Sequence, residues 1–157
     1  MYNLGLSYLN DDSVDKNYNE AFELFKQSAE EECSRGITRL GYCYGNGIGT
    51  DVDKQKAVEL YRKAANLGNS IAQYNIALMY ENGEGIEKDI NQAIYWYEQS
   101  AKQGHQYAQN RLKNISPEKY LSIIVNAIVA FIFKGLNEGK GSSKQYTLNY
   151  FSDHNLL

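Results

Sequence analysis

Cysteine is scarce: Cys33 and Cys43 are the only two in 157 residues, and they lack any C-x-x-C spacing. That excludes a disulfide scaffold and the common zinc and redox signatures. With no thiol that requires oxidation, the expected compartment is the cytoplasm. An excess of one charge is also missing. The 16 basic and 19 acidic side chains give a net charge of −3, without the basic footprint of a nucleic-acid-binding chain. Long hydrophobic runs are absent too. The longest uncharged apolar stretch, Tyr120–Phe133, spans 14 residues, about 21 Å as a helix against roughly 30 Å of bilayer hydrocarbon. It predicts a buried helix rather than a spanning one. The opening Met1-Tyr2-Asn3-Leu4-Gly5 has neither the basic segment nor the apolar run of a signal peptide. What is present suits one folded domain with a real core: 43% hydrophobic and 22% charged residues. Tyrosine is the excess, with 14 copies.

Those tyrosines are periodic. Sliding the chain by 36 residues pairs Tyr44 with Tyr80, Asn46 with Asn82, Gly47 with Gly83, Gly49 with Gly85 and Asp53 with Asp89. At the same offset Ala57 meets Ala93, Tyr61 meets Tyr97, Ala65 meets Ala101 and Gly68 meets Gly104. A third copy lies upstream, where Leu4-Gly5 matches Leu40-Gly41, Tyr8 matches Tyr44 and Ala21 matches Ala57. Downstream, Ala108 repeats Ala72 and Leu112 repeats Leu40. Fixed-period self-similarity of this length defines a repeat architecture. The units are about 1–32, 33–68 and 69–104, with a partial unit at 105–112.

Each unit reads as two helices. Helix A covers Gly36–Gly45 and Ser70–Glu81, with Leu40 and Tyr44, then Ala72, Ile76 and Tyr80, on one stripe. Helix B starts at the N-cap types Asn17, Asp53 and Asp89. Glu20 and Gln92 complete a capping-box pattern, and Gly68 and Gly104 stop the helix. Helix B repeats Ala21, Phe25 and Ala29; Ala57, Tyr61 and Ala65; Ala93, Tyr97 and Ala101. The alanines permit close helix approach and the aromatics fill the groove beside them, hydroxyls reaching the rim.

The spacing Leu40-Gly41-x-x-Tyr44-x-x-Gly47-x-Gly49, followed by Asp53-x-x-Lys56-Ala57-x-x-x-Tyr61-x-Lys63-Ala64-Ala65-x-x-Gly68, resembles the Sel-1-like repeat, a tetratricopeptide-related helical hairpin. The likeness covers roughly residues 1–112. In the first copy Asp11 and Ser13 replace the two loop glycines, so a different loop is expected there. The resemblance implies an all-α fold, a right-handed α-α superhelix that holds protein complexes together. Relatives serve signalling and endoplasmic-reticulum ubiquitin-ligase complexes, and some fungal members follow a kinase domain.

Motifs for chemistry fail on spacing. Gly45-Asn46-Gly47-Ile48-Gly49 and Gly83-Glu84-Gly85 follow helices rather than strands and recur at the repeat period, so they read as turns. Gly135–Lys140 is one residue short of a Walker loop, and Gly141 stands where a Ser or Thr belongs. Neither His105 nor His154 has a partner at ligand spacing, so no metal site is expected. Cys43 occupies the place of Met79 and reads as a buried small hydrophobe. The cysteine pair of secreted cysteine-rich relatives, linked to β-lactam binding, does not recur, so that activity is not carried over. Glu30-Glu31-Glu32 read as a solvated turn, and Asn114-Ile115-Ser116 as a sequon without consequence. No acid–base or nucleophile pair recurs at usable spacing. No catalytic residue, cofactor, small-molecule substrate or nucleic-acid partner is expected.

In stacked hairpins the A helices line the concave surface. Residues there that avoid the Leu–Gly–Tyr stripe are the expected contacts for a protein or peptide. They are Tyr2 and Leu6 in the first unit, Thr38, Tyr42 and Asn46 in the second, and Tyr74, Leu78 and Asn82 in the third. Asn110 continues the row. Asparagine can both donate to and accept from an extended backbone.

Past Leu112 the composition changes. Ser116-Pro117-Glu118 opens a helix, and residues 113–134 are expected to form an apolar capping helix. Its Tyr120–Phe133 face either folds back over the last hairpin or meets a partner, a second copy or a membrane surface. Residues 135–157 are expected to form a flexible tail. The sequence thus predicts a non-catalytic interaction scaffold for signalling or complex assembly. The alternative is a membrane-associated quality-control or ubiquitin-ligase adaptor anchored through Tyr120–Phe133.

Overall fold

The computed structural model describes residues 1–10 and 17–137. The first A–B loop, with Asp11 and Ser13, and residues 138–157, with His154, lie outside the described residues. Within them the chain forms α1 (Tyr2–Asn10), α2 (Tyr18–Glu30), α3 (Ser34–Asn46) and α4 (Lys54–Asn66). It continues as α5 (Ser70–Asn82), α6 (Ile90–Lys102), α7 (Gln106–Ile115) and α8 (Pro117–Asn137). The described residues contain no strand. Each helix packs on the next in sequence, and α8 packs on both α7 and α6.

Short side chains begin the helices. The Oδ1 atoms of Asn17, Asp53 and Asp89 accept from the N–H groups of Glu20, Lys56 and Gln92 at 3.1, 2.8 and 3.0 Å. Each such cap contributes about 1 kcal/mol. Asn69 caps α5 in the same way, accepting from Ala72 N–H at 3.0 Å. The B helices end on paired bonds: Gly68 N–H to Ala65 O and Asn69 N–H to Ala64 O, then Gly104 N–H to Ala101 O and His105 N–H to Ser100 O. Both glycines are left-handed, with φ of 82° and 83°, as this helix stop requires.

The core is divided by the repeat. One cluster holds Ala21, Phe22, Phe25, Leu40 and Cys43. The next holds Ile37, Val58, Tyr61, Ala65, Ala72 and Ile76. The last holds Ala77, Ala93, Tyr97, Ala101, Ala108 and Leu112. Small residues set the helix spacing: a Cβ on Gly36 would strike Ser28, and one on Gly41 would press on the Tyr61 ring. Gly49 has a further role beyond its turn. A Cβ there would collide with the Tyr18 carbonyl, and one on Gly85 with the Lys54 carbonyl, 36 residues on. The α3–α4 and α5–α6 loops therefore rest on the starts of α2 and α4.

Two expectations need correction. Tyr61 and Tyr97 are buried, so their hydroxyls do not reach the rim; that of Tyr97 donates to Glu81 Oε2 at 2.6 Å. The terminal helix α8 extends to Asn137, which makes residues 135–137 of the expected tail helical. No helix among the described residues is long and apolar enough to cross a membrane.

Candidate partner-binding surface

The row of A helices α1, α3, α5 and α7 carries the expected contact residues. Between α3 and α5 the surface sinks into an open groove of ≈ 210 Å³. Tyr42, Asn46, Leu78 and Asn82, four of the sequence-predicted residues, line it together. Asn75, Tyr61 and Met79 complete the floor, and Lys54 and Glu84 form one rim. Lys54 Nζ lies 2.9 Å from Glu84 Oε2, and that ammonium holds the Glu84 carboxyl below the usual carboxylate range. Asn46 donates its amide to Tyr42 O at 2.8 Å, and Asn82 donates to Glu84 Oε1 at 3.4 Å. Each therefore keeps its Oδ1 for a further donor, such as a peptide N–H. Tyr61 lies deeper, and burial raises its pKa.

Four of the expected contact residues, Tyr2, Leu6, Thr38 and Tyr74, pack within the array. Thr38 is buried, and its hydroxyl donates to Ser34 O at 2.7 Å. Tyr2 and Tyr74 share its repeat register, and that register faces the aromatic of the same hairpin. Tyr2 meets Phe25 at 6.2 Å between ring centroids, and Tyr74 meets Tyr97 at 5.7 Å. Leu6 and Tyr2 pack against the first core cluster, and Arg35 covers the Tyr2 ring at 5.1 Å. Asn110 is exposed on α7, where Gln106 donates to it at 3.3 Å.

The row one residue further along, Arg39, Asn75 and Arg111, went unpredicted. Arg111 donates to Glu81 Oε1 at 2.8 Å, so Tyr97, Glu81 and Arg111 form one chain of bonds between α5, α6 and α7. Tyr74, His105 and the exposed Tyr107 cluster beside it, with Tyr74–His105 centroids 4.9 Å apart. Recurrence of polar residues at that register is the signal that would have found the row.

For chemistry the described residues offer little. No group of three or more His, Cys, Asp or Glu among them could hold a metal ion. Cys43 is buried in the first cluster, and burial pushes its thiol up to about 11. Cys33 is partly exposed at the start of α3, and hydrogen bonds, first from the Gly36 backbone, lower its pKa.

Helical hairpins stacked at a 36-residue period, with a groove between successive A helices, define an α-solenoid. The chain belongs to the Sel1 repeat family: the Sel1 repeat matches residues 1–33, 34–69 and 70–105. Among solved structures it is similar to c5321, a protective antigen present in uropathogenic Escherichia coli strains and displaying an SLR fold. That likeness has 32% identity and a TM-score of 0.69 over 73% of this chain and 24% of the antigen. A Sel1 repeat protein from Oxalobacter formigenes matches with 30% identity and a TM-score of 0.70 over 78% of this chain and 53% of its own. Helicobacter pylori cysteine rich protein B matches with 25% identity and a TM-score of 0.61 over 69% and 80%. The chain thus spans a quarter of the first of these proteins and about half of the second. No curated protein sequence matches it. Sel1 repeat proteins are generally non-catalytic scaffolds for protein–protein interaction.

Proposed function

We propose that this chain is a non-catalytic adaptor that seats an extended segment of a partner protein in the groove between α3 and α5. One observation carries the reading: Tyr42, Asn46, Leu78 and Asn82, from equivalent registers of two repeats, converge on one open depression. Its volume, ≈ 210 Å³, lies below the roughly 300–1,000 Å³ of small-molecule sites. It suits one anchoring side chain, with Leu78 and Met79 as apolar floor. The asparagine oxygens would accept from the partner backbone, and the Lys54–Glu84 pair would favour a polar flank. Tyr42, exposed and with few rotatable bonds, is the expected principal contact. We assign the adaptor to the cytoplasm and to complex assembly or signalling.

The test is affinity capture with quantitative mass spectrometry, comparing the natural chain with a Tyr42→Ala, Asn75→Ala, Asn82→Ala variant of unchanged circular dichroism. Proteins enriched by the natural chain should be lost by the variant. An identical captured set would refute the groove as the contact surface.

A further inference from the structure

The repeat register exposes an anomaly on the concave row. Arg39, Asn75 and Arg111 occupy one position in successive A helices. At Arg111 the charge is answered: Glu81 Oε1 accepts from it at 2.8 Å, and Glu81 Oε2 accepts from Tyr97. Two repeats earlier the places of Glu81 and Tyr97 belong to Leu9 and Phe25, whose side chains accept no hydrogen bond. Arg39 is nevertheless half-buried. Among the described residues it has neither an ion-pair partner nor a hydrogen-bond acceptor, and none of its nitrogens is sealed from solvent. Arg35, one turn earlier, lies over the Tyr2 ring at 5.1 Å and adds a like charge rather than an opposite one.

This arginine adjoins the groove between α3 and α5. Arg39, Tyr42 and Asn46 follow spacings of three and four residues, which place them on one stripe of α3. The Arg39 charge acts on Tyr61, in the groove lining, and on Cys43, lowering in each case a pKa that burial raises. The A helices as a set are basic. Arg35, Arg39, Arg111 and Lys113 stand against a single acid, Glu81, although the whole chain carries a net charge of −3. Glu81 is engaged by Arg111 and Tyr97, and the rim carboxylate Glu84 by Lys54. The positive charge along α3 is thus uncompensated among the described residues. A guanidinium fork matches a carboxylate bidentately, so an acidic group is its fitting complement.

We infer that the partner segment in the groove is acidic, with an Asp or Glu side chain docked on Arg39 while its apolar anchor enters between α3 and α5. Resting on the proposed groove, this assigns the chemistry of the occupant. From Arg39 to Asn46 is about 10 Å along α3, or about three residues of an extended segment. The acid therefore lies within about three positions of the anchor. Basic segments are excluded by the same charge.

A phage-displayed library of random peptides, selected on the natural chain, tests this. Selected sequences should share an apolar or aromatic anchor with Asp or Glu within about three positions of it. Selection on Arg39→Glu should keep the anchor and replace the acid by Lys or Arg. A synthetic peptide from the first selection should bind the natural chain about tenfold more tightly with Glu than with Gln at that position. Arg39→Gln should erase that difference with unchanged circular dichroism, and it serves alone should Arg39→Glu misfold. An anchor motif enriched without an acid, and lost by the Tyr42, Asn75, Asn82 variant, overturns this inference and leaves the groove standing. So does a preference for Glu that survives Arg39→Gln. Sequences selected equally by that triple variant, or no selected sequence at all, overturn the groove and this inference with it. A phosphoserine peptide held far more tightly than its glutamate counterpart would overturn the carboxylate assignment and give Arg39 to phosphate.

Discussion

Glu32 shows how one side chain can disagree with the fold that contains it. The first B helix closes with Glu32 N–H on Ala29 O and Cys33 N–H on Ser28 O, the same pair of bonds made at Gly68 and Gly104. Glu32 therefore adopts φ 54°, the only positive φ of a non-glycine residue among those described. A side chain in that region costs roughly 1–2 kcal/mol, and its carboxylate sits at the negative end of α2. Glu32→Gly should raise stability by about 1 kcal/mol in urea unfolding; a loss would show the strain is misassigned. The cysteines offer a second check at this scale. Cys33, partly exposed with a lowered pKa, should react rapidly with a disulfide reagent at mildly alkaline pH. Cys43, buried and raised to about 11, should react only at the rate of unfolding. Equal rates in the folded chain would contradict the packing of α3. Cys43 was legible as a hydrophobe because it alternates with Met79; the strain at Glu32 becomes visible only once its bonds are matched with those at Gly68.

Among whole helices, the starts and stops carry the clearest sequence signals. Asn17, Asp53 and Asp89 cap as their side chains predict, since the interaction is local and needs no tertiary context. His105 is a less obvious cap: its Nδ1 accepts from Ala108 N–H at 3.3 Å to begin α7, which only the neutral imidazole can do. Burial lowers its pKa. The unfolded chain then binds the proton more tightly, so the contribution of His105 is full above the unfolded value of about 6.5 and is lost as pH falls through the folded one. Stability should therefore drop as pH falls below about 6.5, with the histidine share of that drop removed in His105→Asn, a competent cap without a titration. Equal slopes for both chains would rule out the cap. Contact residues on the A helices were less legible. Positions 38 and 42 lie only about 40° apart around a helix, and the choice between solvent and the aromatic of the same hairpin depends on how far α3 is rotated. That rotation is set by Gly36 and Gly41 meeting Ser28 and Tyr61, a pair of contacts no period reveals.

Across the molecule, stability is distributed along one dimension, because each hairpin touches only its neighbours. The Tyr97–Glu81–Arg111 chain of bonds joins the third repeat to α7. Tyr97→Phe should cost about 1–3 kcal/mol by leaving a partly buried carboxylate short of a donor. Hydrogen exchange should quicken in α5, α6 and α7, while α2 changes little; uniform acceleration would mean the array unfolds as a single unit. The 36-residue period made the array legible at this scale, down to which residues are equivalent. It carried no information on α8, which lies beyond the repeat and follows α7 without a Gly-x-Gly loop.

The central claim, that a partner segment lies in the groove between α3 and α5, is tested most directly by hydrogen-exchange mass spectrometry on the chain with and without a captured partner. Protection is predicted in peptides carrying Tyr42–Asn46 and Asn75–Glu84, with α6 unchanged. Protection confined to α4, α6 or α8, with α3 and α5 unaltered, would contradict it.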